Sequence, residues 1–303
     1  MLETLDRTAA VLNRIDRAAF FAHFEEDNAV QYFYEPFLKA FDPVLREQLG
    51  VWYTPPEIVR HMVARADAAV QDELGIPLGL ADPRVQVLDP CCGTGAYLVE
   101  VVKLIAARLA AGSGDALSSN DLKHAALSRV FGFEILPAPY VVAHLQLGLL
   151  LARLGAPLND SSQERVGVYL TNSLTGWQKQ VGEDVPLPSF PELAQERDAA
   201  ARVEQTAPIL VILGNPPYNG FAGAAADEEG DLSHAYRVAK GTRQPQGQGL
   251  KDLYVRFFRA AERRIVEGTG AGVICFISNY SCWTASRSRR CANGTWTYST
   301  TSR

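Results

Sequence analysis

From residue 85 onward, short apolar runs alternate with longer stretches of helical periodicity, and this alternation limits the possible folds more than any other feature. The apolar runs lie at residues 85–88, 130–133, 166–170, 209–213 and 272–277. Helical stretches separate several of them, at residues 97–111, 138–154 and 253–266. Because strands that alternate with helices form mostly parallel sheets, the pattern predicts an α/β fold with a doubly wound sheet. Such a sheet binds its ligands at the carboxyl ends of the strands.

A glycine-rich turn follows the first predicted strand, in the sequence VLDPCCGTG at residues 87–95. Glycines at this junction allow a tight turn and a close approach of the backbone to a ligand. The acidic Asp89 at the strand end disfavours a pyrophosphate and favours a cation, such as the methionine ammonium group of S-adenosylmethionine. Cys91 and Cys92 are interpreted as small packing residues rather than nucleophiles. The alternative is an ordinary strand–turn–helix connection without a ligand.

A second acidic residue, Glu134, ends the second predicted strand in the sequence VFGFEI at residues 130–135. An acid at this place in dinucleotide-binding sheets accepts hydrogen bonds from ribose hydroxyls. We therefore expect Glu134 to bind a ribose of the same ligand. A solvated loop carboxylate is the alternative.

The sequence LGNPPY at residues 213–218 directly follows the fourth predicted strand. Two prolines at this place fix an extended turn that lacks amide donors. The side-chain oxygen of Asn215 and the carbonyl of Pro216 can then accept hydrogen bonds from an amino group. Tyr218 offers an aromatic face on which a planar ring can stack.

These segments together resemble the N6-adenine DNA methyltransferases of restriction–modification systems in their gamma-type order. The resemblance rests on DPCCGTG at 89–95, NPPY at 215–218 and GVWYTPPEIV at 50–59, and residues 31–280 fit the family's plan. The sequences of these motifs are most similar to those in the methyltransferase part of large single-chain restriction enzymes that also contain helicase and nuclease domains. The resemblance implies a Rossmann-like S-adenosylmethionine-dependent methyltransferase sheet after an N-terminal helical segment.

The resemblance also implies a set of site residues. Those expected to bind S-adenosyl-L-methionine are Tyr53, Thr54, Pro55, Asp89, Pro90, Gly93, Gly95, Glu134 and Asn172. Those expected to be catalytic are Asn215, Pro216, Pro217 and Tyr218. In the family, the Thr-Pro element helps to bind the amino-acid end of the cofactor. Asn172 stands where the family often has an Asp that contacts the cofactor adenine.

The implied reaction is adenine-specific DNA methylation. A duplex hides the adenine amino group, so the base has to be flipped out of the stack. Tyr218 would stack on the flipped base, while Asn215 and the Pro216 carbonyl hold its amino hydrogens. Positioning and electrostatics can then carry the reaction without an acid–base residue of unusual pKa.

The formal net charge of −5 disfavours tight binding of nucleic acid by this chain alone. The resemblance implies that DNA recognition involves a separate or missing recognition domain and a helicase–nuclease partner, and the acidic charge agrees with this. An inactive or orphan methyltransferase fragment is an alternative. A protein-glutamine N-methyltransferase is another, because such enzymes also use Asn-Pro-Pro-Tyr on an amide nitrogen.

The cysteines and histidines predict neither disulfides nor a metal site. Five cysteines, two of them adjacent, do not form a disulfide framework and indicate a reducing cytoplasm. The five histidines lack metal-ligand spacing, so we predict no metal. No segment predicts a signal peptide or a membrane span.

The sequence predicts three regions. Residues 1–49 form a helical segment and residues 50–280 the catalytic domain, in which the Gly-rich stretch 219–250 is a mobile loop. Residues 281–303 form an irregular tail that lacks Leu, Ile, Val, Asp and Glu, a composition that cannot continue an α/β core. We expect this tail to be the product of a frameshift or of a misplaced end; a short polar tail is the alternative.

Overall fold

A computed structural model of the chain describes Arg14, Leu232 and residues 54–112, 115–162, 164–175, 191–217 and 253–278. Apart from Arg14, these residues belong to one compact unit. The predictions for the N-terminal segment 1–49, the loop 219–250 and the tail 281–303 otherwise lie outside the described residues. The same is true of Tyr53 and Tyr218.

Five strands of the described residues form one parallel sheet in the order β3-β2-β1-β4-β5. The strands are β1 (Val87–Asp89), β2 (Val130–Glu134), β3 (Gly167–Leu170), β4 (Val211–Gly214) and β5 (Val273–Phe276). The predicted α/β fold is confirmed. The strand order reverses between β1 and β4, and open α/β sheets bind ligands at such a switch point.

Six helices accompany this sheet in the described ranges. They are α1 (Pro56–Asp72), α2 (Ala96–Gly112), α3 (Asp115–Ser128), α4 (Pro137–Arg153), α5 (Pro191–Thr206) and α6 (Leu253–Arg263). The sequence did not predict α3 and α5. The last predicted helix is shorter than expected, because α6 passes into a π-helical turn, Arg264–Thr269, that ends at Gly270 with φ 78°. No described helix has the length and apolar character needed to cross a membrane.

The strands contribute alternate side chains to two apolar clusters, one on each face of the sheet. In β4, Val211 and Leu213 belong to the first cluster and Ile212 to the second. Helices α1, α2, α3 and α4 cover the first cluster, while α5, α6 and the π-helical turn cover the second. Burial on both faces explains why the strands read as continuous apolar runs in the sequence.

A buried ion pair joins the helices of the second face. Nη2 of Arg264, in the π-helical turn, lies 3.2 Å from Oε1 of Glu204 in α5. Both side chains are buried, and the guanidinium also stands 5.7 Å from the centre of the Phe133 ring. The ion pair therefore links these two elements beneath β2.

Two prolines define the beginning of α1. Pro55 is the N-cap, with φ −53° and ψ 140°, and Pro56 begins the helix. The Pro55 carbonyl accepts hydrogen bonds from the amides of Ile58 and Val59. Proline fits this place because its missing N–H would have no partner in the first turn, and its ring fixes φ. Thr54 is thereby held at the amino end of a rigid helix that packs against β4 and β5.

Candidate functional site

Asp89, the last residue of β1, is a buried carboxylate at the switch point of the sheet. It is 1% exposed, and its Oδ1 atom accepts a hydrogen bond of 3.1 Å from the Cys91 amide. Among the described residues, no donor reaches its Oδ2 atom. Burial is the main cause that raises the pKa of Asp89 to about 7, and the nearby Glu134 adds to the rise. The site therefore contains a carboxylate oxygen that a cationic ligand could stabilise.

The turn after β1 has the backbone conformation that its glycines allow. Gly93 and Gly95 adopt positive φ angles of 54° and 89°, which favour glycine. At Gly95 a side chain would also approach the Cβ of Ala143 in α4 to 3.2 Å. Pro90 is buried in the same turn, and the Cys92 amide donates to the Phe133 carbonyl over 2.9 Å. The turn is thus fixed against both β2 and α4.

Cys91 and Cys92 have the properties of packing residues. Burial, with the nearby carboxylates of Asp89 and Glu134, raises the pKa of both thiols well above its ordinary value. Both are free cysteines. Neutral thiols are poor nucleophiles, so this environment does not favour covalent chemistry at either residue.

Glu134 ends β2 beside the glycine turn and is 8% exposed. Its Oε2 atom accepts a hydrogen bond of 2.9 Å from the Gly93 amide, and its Oε1 atom accepts one of 2.8 Å from the Leu136 amide. Burial raises its pKa, and these backbone donors oppose the rise. Glu134 is therefore not a solvated loop carboxylate but part of the structure around Gly93.

Asn172 lies in the loop after β3. Its Oδ1 atom accepts a hydrogen bond of 3.0 Å from the Leu174 amide, so the side chain shapes its own turn. The neighbouring Ser173 hydroxyl donates to the Pro90 carbonyl, which brings this loop to the turn after β1. The loops after β1, β2 and β3 therefore lie next to one another.

Gly214 ends β4, which is adjacent to β1, and Asn215 follows it. A β-carbon on Gly214 would stand 2.6 Å from Oδ1 of Asp89 and 3.4 Å from Sγ of Cys91. The Asn215 Nδ2 atom donates a hydrogen bond of 3.1 Å to the Thr54 hydroxyl oxygen. Pro216 is buried and Pro217 is half-buried. The structure thus places the Thr54, Asp89 and Asn215 motifs around one edge of the sheet.

Two residues of this arrangement, Gly214 and Tyr97, were not predicted from the sequence. Gly214 precedes the Asn-Pro-Pro motif, and its position there was the only available signal. Tyr97 lies in the first turn of α2, where its hydroxyl donates to the sulfur of Met62 over 3.2 Å. Thr54 is also a hydrogen-bonding neighbour of this phenol. The structure does not describe Tyr53 and Tyr218, whose roles stay predictions. Pro55, by contrast, is exposed.

A parallel sheet of this order, with acids at the ends of β1 and β2, defines the chain as a Rossmann-like methyltransferase. The family model for the "N-6 DNA Methylase" matches residues 25–249, which is more than half of the chain. The chain belongs to the N-6 DNA methylase family. A comparison with curated proteins finds no match.

Three solved structures share the fold, each with a TM-score of 0.66. The ATP-dependent Type ISP restriction-modification enzyme LlaBIII bound to DNA is 23% identical, and the match covers 84% of this chain and 16% of that one. The DrdV–DNA complex is 25% identical, with 90% and 24% covered. A nuclease-deletion mutant of the Type ISP restriction-modification enzyme LlaGI, in complex with a DNA substrate mimic, is 21% identical, with 85% and 20% covered. The chain thus spans between 16% and 24% of the length of these solved chains.

Proposed function

We propose that the chain is the catalytic part of an S-adenosylmethionine-dependent DNA adenine-N6 methyltransferase of a restriction–modification system. One observation carries the proposal: Asp89 ends β1, Gly214 ends the adjacent β4, and Asn215 follows Gly214, at the point where the strand order reverses. In a member of the N-6 DNA methylase family, this placement supports a methyl donor at β1 and an amino-group acceptor at β4.

The residues at the end of β1 fit S-adenosylmethionine. The Oδ2 atom of Asp89 is buried and accepts no hydrogen bond from the described residues, so a ligand ammonium group would stabilise it. Gly93 and Gly95 keep side chains away from the turn in front of it. Pro90 stiffens the same turn. A charge-assisted hydrogen bond to Asp89 would contribute about 1.5–3 kcal/mol.

Glu134 and Asn172 fit the nucleoside part of the same molecule. The Glu134 carboxylate accepts hydrogen bonds from the backbone amides of Gly93, Leu136 and Ile135, which leaves at least one of its roughly four lone-pair sites. The carboxylate therefore retains capacity for a ribose diol. Asn172 follows β3 in a loop that reaches the Pro90 turn, which supports contact with the adenine.

Asn215, Pro216, Pro217 and Tyr218 form the proposed acceptor site. S-adenosylmethionine, when bound, supplies a methyl group on a positively charged sulfur. The Asn215 side-chain oxygen and the Pro216 carbonyl accept the two hydrogens of the adenine amino group, which leaves its lone pair directed at the donor. Pro217 stiffens the turn, and Tyr218 stacks on the flipped base with a contribution of about 1–3 kcal/mol. The methylated amino group would carry a positive charge and would lose one proton to solvent, which its acidity allows without a general base, so positioning carries the reaction.

DNA is the proposed substrate, and we propose that domains other than this catalytic part contribute to binding it. The three similar structures contain DNA or a mimic of it, which supports DNA as the substrate. A net charge of −5 weakens attraction to phosphates, so we assign sequence-specific binding to a separate recognition domain, with a helicase–nuclease as a further partner. Free cysteines support a cytoplasmic location.

A methyl-transfer assay with competing acceptors tests the function. The full chain is incubated with methyl-labelled S-adenosylmethionine and either duplex DNA or a glutamine-containing release-factor peptide. We expect label in N6-methyladenine after digestion of the DNA, and none with an Asn215→Ala control. Label on the peptide alone would establish the protein-glutamine alternative. Cofactor binding without transfer to either acceptor would indicate an inactive fragment.

A further inference from the structure

The Thr54 hydroxyl contacts the acceptor motif directly. Its oxygen accepts the hydrogen bond of 3.1 Å from Asn215 Nδ2, between residues that lie 161 positions apart in the chain. Thr54 is 7% exposed, so water does not compete freely for this bond. The resemblance assigns the Thr-Pro element to the amino-acid end of the cofactor. The contact instead connects the Thr54 side chain to the residue that would hold the methyl acceptor.

The neighbours of Thr54 determine which way this hydrogen bond runs. A thioether sulfur has no hydrogen to donate, so the Tyr97 hydroxyl must donate to Met62 across their 3.2 Å contact. The Thr54 side chain is in hydrogen-bonding contact with the same phenol and lowers its pKa, although burial has the larger, opposite effect. Because the single phenol hydrogen is directed at Met62, the phenol oxygen can only accept in its contact with Thr54. Thr54 therefore donates its single hydroxyl hydrogen to Tyr97.

The amide of Asn215 then has one favourable orientation. With the Thr54 hydrogen directed to Tyr97, Oγ1 of Thr54 presents only lone pairs to the amide. The NH2 group of Asn215 can donate to them, whereas a rotated amide would bring its carbonyl oxygen against another acceptor. A chain of hydrogen bonds therefore runs from Asn215 to Thr54, from Thr54 to Tyr97 and from Tyr97 to Met62. It fixes the orientation of the Asn215 amide.

We propose that Thr54 is a positioning residue, whose hydroxyl holds the Asn215 amide so that its carbonyl oxygen is the atom offered to the acceptor amino group. Tyr97 and Met62 support it by setting the direction of the hydrogen bonds. The proposal rests on the proposed function, in which that oxygen accepts an amino hydrogen. It assigns the Thr54 side chain to the transfer step rather than to cofactor affinity.

Two substitutions at Thr54 separate these roles. Thr54→Val keeps the side-chain shape and removes the hydroxyl, and Thr54→Ser keeps the hydroxyl. For Thr54→Val we expect a kcat about 10–100-fold lower on adenine-containing DNA, because small misplacements of reacting groups have effects of this size. Its Kd for S-adenosylmethionine, measured by calorimetry, should stay within about threefold of the original. Thr54→Ser should restore kcat to within about threefold. A weaker Kd with an unchanged kcat in Thr54→Val would overturn the proposal.

A measurement that needs no activity tests the same bond. In 15N–1H spectra, the Asn215 side-chain NH2 signals are assigned by their disappearance in Asn215→Ala. We expect Thr54→Val to shift these signals and to speed their exchange with water, with Tyr97→Phe as a second variant acting in the same direction. Signals unchanged in Thr54→Val would refute the bond, whether or not the chain methylates DNA. If the signals shift but the unaltered chain transfers no methyl group, the proposed function fails and the positioning contact stands. Circular dichroism establishes that each variant is folded.

Discussion

Asp89 and Gly214 lie so close that a β-carbon on Gly214 would stand 2.6 Å from Oδ1 of Asp89. The two residues come from adjacent strands, β1 and β4, at the switch point of the sheet. Position 214 therefore requires glycine, because any side chain there would displace the Asp89 carboxylate. The proposed donor and acceptor sites thus share one steric constraint.

We expect Gly214→Ala to destabilise the fold by about 1–3 kcal/mol, because an added methyl group in a packed site forces its neighbours to move. Its affinity for S-adenosylmethionine should also fall, since Asp89 is displaced. Denaturant unfolding and calorimetry measure the two effects. Gly268→Ala is the matched control, because a β-carbon there meets nothing within 4 Å. Equal stability of the two variants would contradict the steric account.

The ionisation of Asp89 should make the ligand-free chain less stable as the pH rises. Its pKa rises from 3.8 to about 7, mainly by burial, so the folded chain holds this proton more tightly than the unfolded chain. This difference contributes on the order of 4 kcal/mol to the free energy of unfolding below about pH 4. The contribution is lost as the pH rises to about 7. Glu134 acts in the same direction. Asp89→Asn should flatten the fall in unfolding free energy between pH 4 and 7, and an unchanged slope would contradict the prediction.

Cofactor binding should show the opposite dependence on pH. A ligand ammonium group favours ionised Asp89, so the affinity for S-adenosylmethionine should rise as the pH increases from 6 to 8. Asp89→Ala should weaken binding by about 1.5–3 kcal/mol at pH 8 and remove most of this dependence. Calorimetry over this pH range tests both statements. Equal affinities of the variant and the unaltered chain would exclude Asp89 from the cofactor site.

Asn215→Ala should separate binding from transfer. Asn215 contacts the proposed acceptor, so cofactor affinity should stay within about threefold while methyl transfer to DNA is abolished. Asn159→Ala, in the exposed loop before β3, is a control for the same change of side chain. Transfer that survives in Asn215→Ala would refute its catalytic assignment.

The Arg264–Glu204 ion pair provides a test of the second face of the sheet. Glu204→Ala leaves a buried guanidinium without its carboxylate, so we expect a loss of about 3–5 kcal/mol in the free energy of unfolding. Gln205→Ala changes an exposed neighbour on the same helix and should cost less than about 0.5 kcal/mol. Similar unfolding midpoints for the two variants would show that the ion pair contributes little.

The sheet could be predicted from the sequence because its strands are buried on both faces. Each of the five described strands coincides with a predicted apolar run to within about two residues, and the helix after Gly95 begins within one residue of its predicted start. Helices α3 and α5 escaped prediction for a physical reason. Polar residues interrupt the apolar positions of α3, and α5 is rich in charged residues and alanine, so neither has an apolar stripe as clear as that of α1.

The site could be predicted only motif by motif. Asp89, Glu134 and Asn215 were recognisable because each ends an apolar run, and parallel strands bring such ends to one edge. The contact between Thr54 and Asn215 was not predictable, because it depends on how α1 packs against β4 and β5. The requirement for glycine at position 214 was not predictable either, because it depends on the close approach of Asp89 in the folded sheet.

The hydrogen bond between Thr54 and Asn215 also bears on how the chain folds. Its two ends are 161 residues apart, and β1 finds its partner β4 only after β2 and β3 have been synthesised. Closing so long a loop is entropically unfavourable until many other contacts are made, which slows folding of parallel sheets. During synthesis on the ribosome, the contact between Thr54 and Asn215 can therefore form only after most of the sheet has been made. Nascent chains shorter than about 215 residues should contain β1 and β2 but no assembled centre, which makes this centre a late event in the maturation of the protein.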